Sequence, residues 1–321
     1  MKWAILGTGN IAAKFATGLV ALGTRAGLHA VGSRSPDKAR DFAARFRVPV
    51  TGDYHAVLAD PQVEVVYIAL PNQEHARWSI LAAQAGKHIL CEKPAAMNLR
   101  ELDSVLSAVR QTEVFFMEGF LWRCHPRTRL LRELAEELGE LRMAHAVFCF
   151  DAGRPLKERL ARTDYGGGAL MDVGCYPISW LRLFGGEPLE LGATATVEGG
   201  VDVQTGGSLR FGAGFLGTFA TAVQCEQPTI NTLYGERGSL TIHEPWRNTP
   251  GAPLIVRTAT GERTLPAEDT GLPIHALEAL HVQEHLATKQ APAMSWDDSR
   301  GQQRTLDRLR AAIGVRWQSE T

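Results

Sequence analysis

Short apolar runs alternate with segments of helical spacing over the first 119 residues. The apolar run 3–6 comes first and is followed by a segment, residues 10–22, whose apolar side chains share one helix face. The same order continues, with strands predicted at 29–33, 64–70, 87–91 and 113–119 and helices at 35–46, 74–86 and 99–112. This alternation predicts a doubly wound parallel sheet of the Rossmann type, with helices on both faces and a ligand at the carboxyl ends of the strands.

The remainder of the chain has a different pattern. A helix is predicted at 126–139, a strand at 141–150 and a glycine-bounded helix at 166–186. After residue 187 the pattern becomes rich in strands, and helices return at about 274–288 and 297–313. We therefore predict a division near Gly119, with a dinucleotide-binding α/β domain over residues 1–119 and an α+β domain over residues 120–321.

Composition narrows the possible partners. The formal net charge of −1 gives no electrostatic reason to expect nucleic acid or an anionic membrane surface. Five scattered cysteines without a CxxC pair are typical of reduced thiols in a cytoplasmic protein, and we saw no apolar segment long enough to span a membrane. We also found no histidine, cysteine and carboxylate cluster with the spacing of metal ligands, so the predicted metal content is none.

A glycine-rich turn follows the first predicted strand. It reads Gly7-x-Gly9-x-x-Ala12, with Thr8, Asn10 and Ile11 at the intervening positions. In this pattern the first glycine permits a tight turn, the second lets the backbone approach a pyrophosphate, and the small third residue lets the helix pack close to the strand. The helix N-terminus then attracts the anion, so these six residues are predicted to bind a dinucleotide.

The end of the second predicted strand indicates which dinucleotide binds. An NAD site usually carries an acidic residue there for the ribose 2′-hydroxyl, but this chain has Ser33 and Arg34 and no carboxylate before Asp37. A guanidinium can bind a 2′-phosphate, so we favour NADP, with NAD as the alternative. Lys38 adds positive charge, although a surface lysine on a helix is an equally ordinary interpretation.

Two polar groups are candidates for catalysis. Lys93 lies at the carboxyl end of a predicted parallel strand, after Glu92, which can pair with a lysine or contact the cofactor ribose. Asp172 and Tyr176 are four residues apart and share a helix face, next to a kink expected at Pro177. The alternatives are a loop lysine that caps the sheet and a half-buried tyrosine with its hydroxyl at the surface.

Four motifs occur in order, namely "GTGNIA", "PNQEH", "CEKPAA" and "GGGALMDVGCYP". Together they resemble the glucose-fructose oxidoreductase / inositol dehydrogenase (Gfo/Idh/MocA) family over nearly the whole chain. The chain is most similar to the branch of dimeric dihydrodiol dehydrogenase and NADP-dependent D-xylose dehydrogenase. The resemblance implies a Rossmann domain and a second domain whose large, mostly antiparallel open sheet forms a homodimer or higher homo-oligomer.

The same resemblance assigns roles to residues. It implies that Lys93 and Tyr176 are catalytic, although tyrosine departs from the histidine more common at the second position. It further implies cofactor-adjacent positions, which are Leu70, Asn72 and His75. Substrate contacts are predicted at Arg123, His125, Arg159 and Arg162, each of which also fits a structural or exposed loop role.

These observations predict an NADP-dependent dehydrogenase or reductase acting on a sugar, polyol or related secondary alcohol. Tyr176 is expected to exchange the proton, Lys93 to stabilise the developing alkoxide, and Asp172 to orient Lys93 or a substrate hydroxyl. A redox-neutral NAD-dependent glycosidase and a non-catalytic, nicotinamide-sensing regulator are the alternatives.

Overall fold

The alternating segments of the first third of the chain form a parallel sheet. The structure is a computed structural model, and it describes residues 1–247, 249–266 and 268–317. Within those residues the first sheet has the strand order β3-β2-β1-β4-β5-β6. Its strands are β1 (Lys2–Leu6), β2 (Gly27–Gly32), β3 (Val50–Gly52), β4 (Val65–Ile68), β5 (His88–Glu92) and β6 (Phe116–Gly119). All of its pairings are parallel, as predicted for a doubly wound Rossmann sheet.

Helices follow the strands in the predicted order. The described α-helices are α1 (Asn10–Ala21), α2 (Pro36–Phe46), α3 (Tyr54–Ala59), α4 (Asn72–Gln84), α5 (Leu99–Thr112), α6 (Pro126–Glu137), α7 (Glu158–Ala161), α8 (Cys175–Gly185), α9 (Ile274–His285) and α10 (Trp296–Ala312). The sequence analysis did not identify β3 or α3, because elements of three and six residues are too short to display a period.

Local signals explain where several of these helices begin and end. Ser35 caps α2 by accepting a hydrogen bond from the Lys38 backbone N–H at 3.4 Å, and Pro36 occupies the first helical position. The chain after α4 turns at Gly86, whose φ of +70° favours glycine. The strands β1, β4, β5 and β6 are buried along nearly their whole length, which is why they have continuous apolar runs.

The second sheet is mostly antiparallel, as predicted. Its strand order within the described residues is β14-β13-β12-β11-β7-β10-β9-β8, and only the β7–β10 pair is parallel. The strands are β7 (Leu141–Cys149), β8 (Glu190–Glu198), β9 (Val201–Arg210), β10 (Leu216–Ala222), β11 (Ile230–Gly235), β12 (Gly238–His243), β13 (Pro253–Thr258) and β14 (Gly261–Pro266). A hairpin joins β13 and β14, with Thr258 paired with Gly261 next to its turn.

The chain divides into two compact units that are not contiguous in sequence. The first comprises Met1–Cys124 and Thr270–Arg300, and the second comprises His125–Asp269 and Gly301–Thr321. The structure thus adds α9 to the unit of the parallel sheet, where a Cβ at Gly18 of α1 would lie 2.8 Å from the Ala276 backbone nitrogen. The functional division at Gly119, with residues 1–119 for the dinucleotide and 120–321 for the substrate, stays a prediction.

Among the described residues, none of the helices combines the length and the apolar character that crossing a bilayer requires.

Candidate active site

The turn between β1 and α1 has the geometry that the glycine pattern predicts. Gly7 has a φ of +111°, and a Cβ there would lie 2.5 Å from the Ala69 carbonyl oxygen, so only glycine fits this turn. Gly9 has an ordinary φ of −79°, and a Cβ built on it would meet no atom within 4 Å. The space above Gly9 is therefore open, whereas Ala12 is fully buried against the sheet.

The N-terminus of α1 has the character of an anion site. Gly9 is the N-cap and contributes no side-chain hydrogen bond, and the first turn contains no acidic residue. The first backbone N–H groups, including those of Asn10 and Ile11, lack an intrahelical partner in any α-helix. Because they lie beside open space at the positive end of the helix dipole, they fit the pyrophosphate of a dinucleotide.

The segment after β2 presents positive charge. Ser33 is buried, and its hydroxyl accepts a hydrogen bond from the Ser35 backbone N–H at 3.2 Å. Arg34 and Lys38 are exposed. Burial raises the pKa of Tyr54, while hydrogen bonding and charge from Arg34 act in the opposite direction, so the guanidinium lies close to that hydroxyl. A ribose at this edge would therefore meet cationic and neutral donors.

His75 joins two loops at the carboxyl ends of the strands. Its Nε2 lies 2.8 Å from the Leu70 carbonyl oxygen, after β4, and its Nδ1 lies 2.7 Å from the Pro94 carbonyl oxygen, after β5. The ring is 1% exposed, and burial lowers its pKa although both carbonyls favour the charged form. His75 thus positions the loops on which Leu70 and Lys93 lie, and its direct contact with a cofactor stays a prediction, as do those of Leu70 and Asn72.

The loop that follows Lys93 is fixed by two further side chains. Glu118 of β6 accepts a hydrogen bond from the Ala95 backbone N–H at 3.0 Å, and Glu101 of α5 accepts one from the Met97 backbone N–H at 3.1 Å. The Lys93–Pro94 peptide bond is cis, a feature that the sequence analysis did not predict. Lys93 itself is half-buried directly after β5, at the edge of the sheet where ligands bind.

Buried acids lie behind this loop. Glu92 is buried and accepts a hydrogen bond from the Tyr67 hydroxyl. Glu278 of α9 is fully buried, and a Cβ at Gly119 would lie 3.3 Å from its Oε1. Burial raises the pKa of Glu278, and the charge of Glu92 acts in the same direction. Sequence reasoning missed Glu118 and Glu278, although an acid within an otherwise apolar run was a usable signal at each position.

In the second unit, glycines and a buried acid shape the segment before Tyr176. Gly168 has a φ of +99°, and a Cβ there would lie 2.3 Å from Asp202 Oδ1. Asp202 Oδ2 accepts hydrogen bonds from the Leu170 backbone N–H at 2.8 Å and from the Thr205 hydroxyl at 2.6 Å. Sequence reasoning missed Asp202, because its contact with Leu170 joins segments 32 residues apart.

The predicted single helix over residues 166–186 is divided. Leu170–Gly174 forms a π-helical turn that contains Asp172, and α8 begins at Cys175 with Pro177 in its first turn. Gly174 and Cys175 have right-handed helical backbone angles, so the helical backbone continues from the π turn into α8, and Pro177 lies within it rather than at a free N-terminus. The missing N–H of Pro177 thus falls just after the π turn, a local widening that is frequent at functional sites and lies beside the position where the sequence predicts a kink.

Asp172 and Arg159 form an ion pair. The Arg159 guanidinium donates to both carboxylate oxygens, at 2.8 and 3.3 Å. The Asp172 side chain is 15% exposed and that of Arg159 is 55% exposed, so the pair lies at the protein surface rather than in the core. The structure thereby brings together two of the residues that the sequence singled out.

Tyr176 lies in an aromatic cluster. Its ring makes edge contacts with Phe148, at 5.2 Å between centroids, and with Trp246, at 5.7 Å. Phe148 and Trp246 also line a pocket of about 390 Å³ together with residues that include Phe150, Glu226, Glu244 and Arg247. Apolar faces and a few charged groups around one pocket are typical of small-molecule sites.

The other predicted substrate residues have partners within the protein. Arg123 donates to the Ala293 carbonyl oxygen at 3.2 Å, and the His125 ring accepts from the backbone N–H two residues on, at the start of α6. Arg162 pairs with Glu158 at 2.8 Å. These contacts give each side chain a structural role, and their contact with a substrate stays a prediction.

Comparison with known proteins identifies the family. Residues 1–120 match a family model described as "Oxidoreductase family, NAD-binding Rossmann fold", and residues 128–241 match the GFO/IDH/MocA C-terminal domain. The chain is 31% identical to mouse trans-1,2-dihydrobenzene-1,2-diol dehydrogenase, with 98% of this chain and 97% of that protein covered. The chain belongs to the Gfo/Idh/MocA oxidoreductase family.

Two other relatives place this Gfo/Idh/MocA protein among nicotinamide-dependent enzymes. It is 30% identical to D-xylose 1-dehydrogenase (NADP(+)) 2 of Haloferax volcanii, over 96% of each chain. Its structure is similar to that of KijD10, a 3-ketoreductase from Actinomadura kijaniata in complex with NADP and TDP-benzene, with a TM-score of 0.87, 26% identity and 98% of each chain covered. The predicted fold, family and enzyme class are confirmed, and the cofactor is a nicotinamide dinucleotide.

The expectation that no cluster has the spacing of metal ligands is wrong, because His281, Glu284 and His285 of α9 have ligand atoms within 4.8 Å of one another. The predicted metal content of none stays a prediction. Burial, together with the neighbouring His285, lowers the pKa of His281 to about 4, so its ring is neutral at neutral pH. The signal was present as the spacing His-x-x-Glu-His in the sequence.

The open space above Gly9 allows a direct test of dinucleotide binding by this family member. We expect Gly9→Ala to lower the unfolding midpoint only slightly, because the new methyl group meets no protein atom and alanine is merely a weaker N-cap than glycine. It should nevertheless weaken NADPH binding by about tenfold or more, because the methyl group occupies the space of the pyrophosphate. Fluorescence titration measures the affinity, with Gly192→Ala, also in open space, as the control. Unchanged affinity in Gly9→Ala would contradict the assignment.

Proposed function

We propose that this oxidoreductase uses NADP(H) to interconvert a secondary alcohol and a carbonyl of a sugar, polyol or dihydrodiol-like substrate. When bound, the nicotinamide supplies or accepts the hydride. The single observation that carries the proposal is the position of Lys93, directly after β5 on a loop fixed by His75, Glu118 and Glu101. Substrates of doubly wound sheets bind at this edge.

The preference for the 2′-phosphate rests on the segment after β2. Ser33 and Arg34 follow Gly32 directly, and the next carboxylate, Asp37, is exposed and forms an ion pair with Arg40. A guanidinium binds a phosphate dianion through parallel hydrogen bonds, while a carboxylate at the same place would repel it. The D-xylose dehydrogenase of Haloferax volcanii, named for NADP(+), and KijD10, solved with NADP, agree with this proposal.

Tyr176 is proposed as the acid and base. A free phenol has a pKa of about 10 and is a poor base at neutral pH, but an ammonium close to it favours the phenolate. We propose that Lys93 has this effect and that both groups act on one substrate oxygen. During reduction Tyr176 then donates the proton to that oxygen, and Lys93 stabilises its developing negative charge.

Asp172 and the aromatic pocket are proposed to orient the substrate. The ion pair with Arg159 holds the Asp172 carboxylate in one direction, in which it can accept a hydrogen bond from a substrate hydroxyl. Phe148 and Trp246 offer apolar ring faces beside Tyr176. Such faces pack against the C–H groups of a sugar or the ring of a dihydrodiol, which is the substrate named for the mouse relative.

We also propose that the open face of the second sheet forms a homodimer. Met143 and Tyr234 pair across neighbouring strands and are 48% and 47% exposed, and Val197 of β8 is 46% exposed. Exposed apolar side chains on one sheet favour association. The cytoplasmic location predicted from the cysteines stays a prediction.

Sedimentation equilibrium tests the dimer. The wild type should have twice the chain mass of 35.0 kDa at micromolar concentration, and Met143→Glu should lower this mass toward that of one chain. The exposed Val20→Glu serves as the control, because Val20 lies on α1 of the other unit. A wild-type protein that sediments as a single chain would contradict the proposal.

Arg34→Ala tests the coenzyme preference. We expect NADPH affinity to fall by about tenfold or more, while NADH affinity changes little, because only the 2′-phosphate loses a partner. Arg45→Ala removes another exposed arginine, at the far end of α2, and should leave both affinities unchanged. An equal loss for both coenzymes would indicate that Arg34 acts through its contact with Tyr54 and would remove the argument for NADP.

Tyr176→Phe tests the proton transfer. Turnover with a reactive sugar or dihydrodiol should fall by about 100-fold or more, while NADPH affinity stays unchanged, because the aromatic packing is kept and only the hydroxyl is lost. The control is Tyr234→Phe, which removes a hydroxyl from an exposed tyrosine. Unchanged turnover in Tyr176→Phe would exclude this role. Glycoside cleavage by the wild type in the presence of NAD⁺, without net formation of NADH, would favour the glycosidase alternative.

A further inference from the structure

The last turn of α9 presents three metal-ligand side chains to one point. His281, Glu284 and His285 occupy positions i, i+3 and i+4, which lie on one face of an α-helix. One ligand atom from each lies within 4.8 Å of the other two, and the two imidazole centroids are 4.3 Å apart. When a tetrahedral Zn²⁺ has bonds of about 2.0 Å, two of its ligand atoms lie about 3.3 Å apart. Modest side-chain rotations would therefore bring all three ligand atoms to bonding distance of one ion.

The hydrogen bonding of His285 prepares it as a ligand. Its Nδ1 lies 2.8 Å from the backbone carbonyl oxygen of His281. A carbonyl oxygen can only accept, so Nδ1 carries the proton and the lone pair is on Nε2. Metal-bound histidines in proteins usually have their second nitrogen engaged in this way, which fixes both the tautomer and the ring orientation.

The His281 side chain contributes a second candidate ligand nitrogen. Its Nε2 is buried and has no hydrogen-bond partner among the described residues. Leaving a buried polar atom without a partner costs about 1–3 kcal/mol. Glu284 is exposed on the same face of the helix, so a carboxylate can approach the two rings from the solvent side. An ion bound here would satisfy the buried nitrogen and neutralise the carboxylate.

We propose that His281, Glu284 and His285 bind one divalent transition-metal ion of the zinc class, with water at the remaining coordination position. Two imidazoles and one carboxylate favour such an ion over Mg²⁺ or Ca²⁺, which prefer ligand sets made of oxygen atoms.

The position of the cluster indicates a stabilising role rather than a catalytic one. Glu278, earlier in α9, lies near Gly119 at the carboxyl end of β6. Beyond α9, the Lys289 carbonyl oxygen accepts a hydrogen bond from the Phe116 backbone N–H at 3.1 Å, at the opposite end of β6. The helix thus runs from the coenzyme edge of the sheet to its far edge, and the ion would fix the last turn of α9 at that far edge.

The test uses the untagged, full-length protein freed of metal by a chelator. Cys225 is exposed and is a competing thiol, so every variant carries Cys225→Ser. Zn²⁺ is titrated in competition with a chromophoric chelator, and Co²⁺ is used to record the visible absorption of the bound ion. We expect one Zn²⁺ per chain and a Zn²⁺-dependent rise of several degrees in the unfolding midpoint, because an ion that binds only the folded chain stabilises it.

Matched substitutions assign the ligands. His285→Gln and the exposed Glu284→Gln should each weaken Zn²⁺ binding by about tenfold or more and abolish the rise in the midpoint. The control is His55→Gln, which removes an exposed histidine on α3 and should change neither quantity. Turnover with metal-free and Zn²⁺-loaded enzyme should be equal.

Three outcomes would overturn the proposal. The first is that the Cys225→Ser protein binds no Zn²⁺ at micromolar concentrations. The second is that Glu284→Gln and His285→Gln bind Zn²⁺ as tightly as the control variant does. The third is that metal removal abolishes turnover, which would refute the stabilising role. Because Glu284 is exposed, Glu284→Gln should fold even if His285→Gln does not, so the ligand assignment remains decidable.

Discussion

The loop after β5 is the constraint on which the proposed chemistry depends. Its backbone groups find partners in buried side chains, with the Pro94 carbonyl beside His75 and the Ala95 N–H bonded to Glu118. Each such group would cost about 1–3 kcal/mol if it were buried without a partner. The loop therefore has few alternative conformations, and the backbone that carries Lys93 is fixed before any substrate arrives. Preorganised charge of this kind is what stabilises a developing alkoxide.

The coenzyme site and the catalytic groups are built from different kinds of interaction. Around Gly7 and Gly9 the site is formed by backbone shape, because Gly7 has no room for a side chain and Gly9 leaves open space. In the second unit the site depends on buried polar side chains, since Asp202 fixes the segment before the π turn that carries Asp172. Backbone shape at glycines is visible as a short local pattern in the sequence, whereas contacts between buried polar side chains and distant segments are not.

This difference explains what could be predicted. The strand and helix alternation and the glycine turn depend on residues close in sequence, and the structure agrees with both predictions. The return of α9 to the first unit and the contacts of Glu118 and Asp202 join distant segments, which periodicity cannot reveal. The π turn was missed because one additional residue in a turn leaves the apolar pattern nearly unchanged. The roles of Lys93 and Tyr176 rest on the resemblance and the chemistry, not on local pattern.

The central claim is that Lys93 and Tyr176 act on the same substrate oxygen, and a double-mutant cycle on turnover tests it most directly. Lys93→Met, Tyr176→Phe and the combined variant would be compared under saturating coenzyme and substrate. Groups that act as one unit give strongly non-additive losses, so the account predicts that the double variant is about as slow as the slower single variant. If the two losses instead multiply, the lysine and the tyrosine act independently, and the account is contradicted.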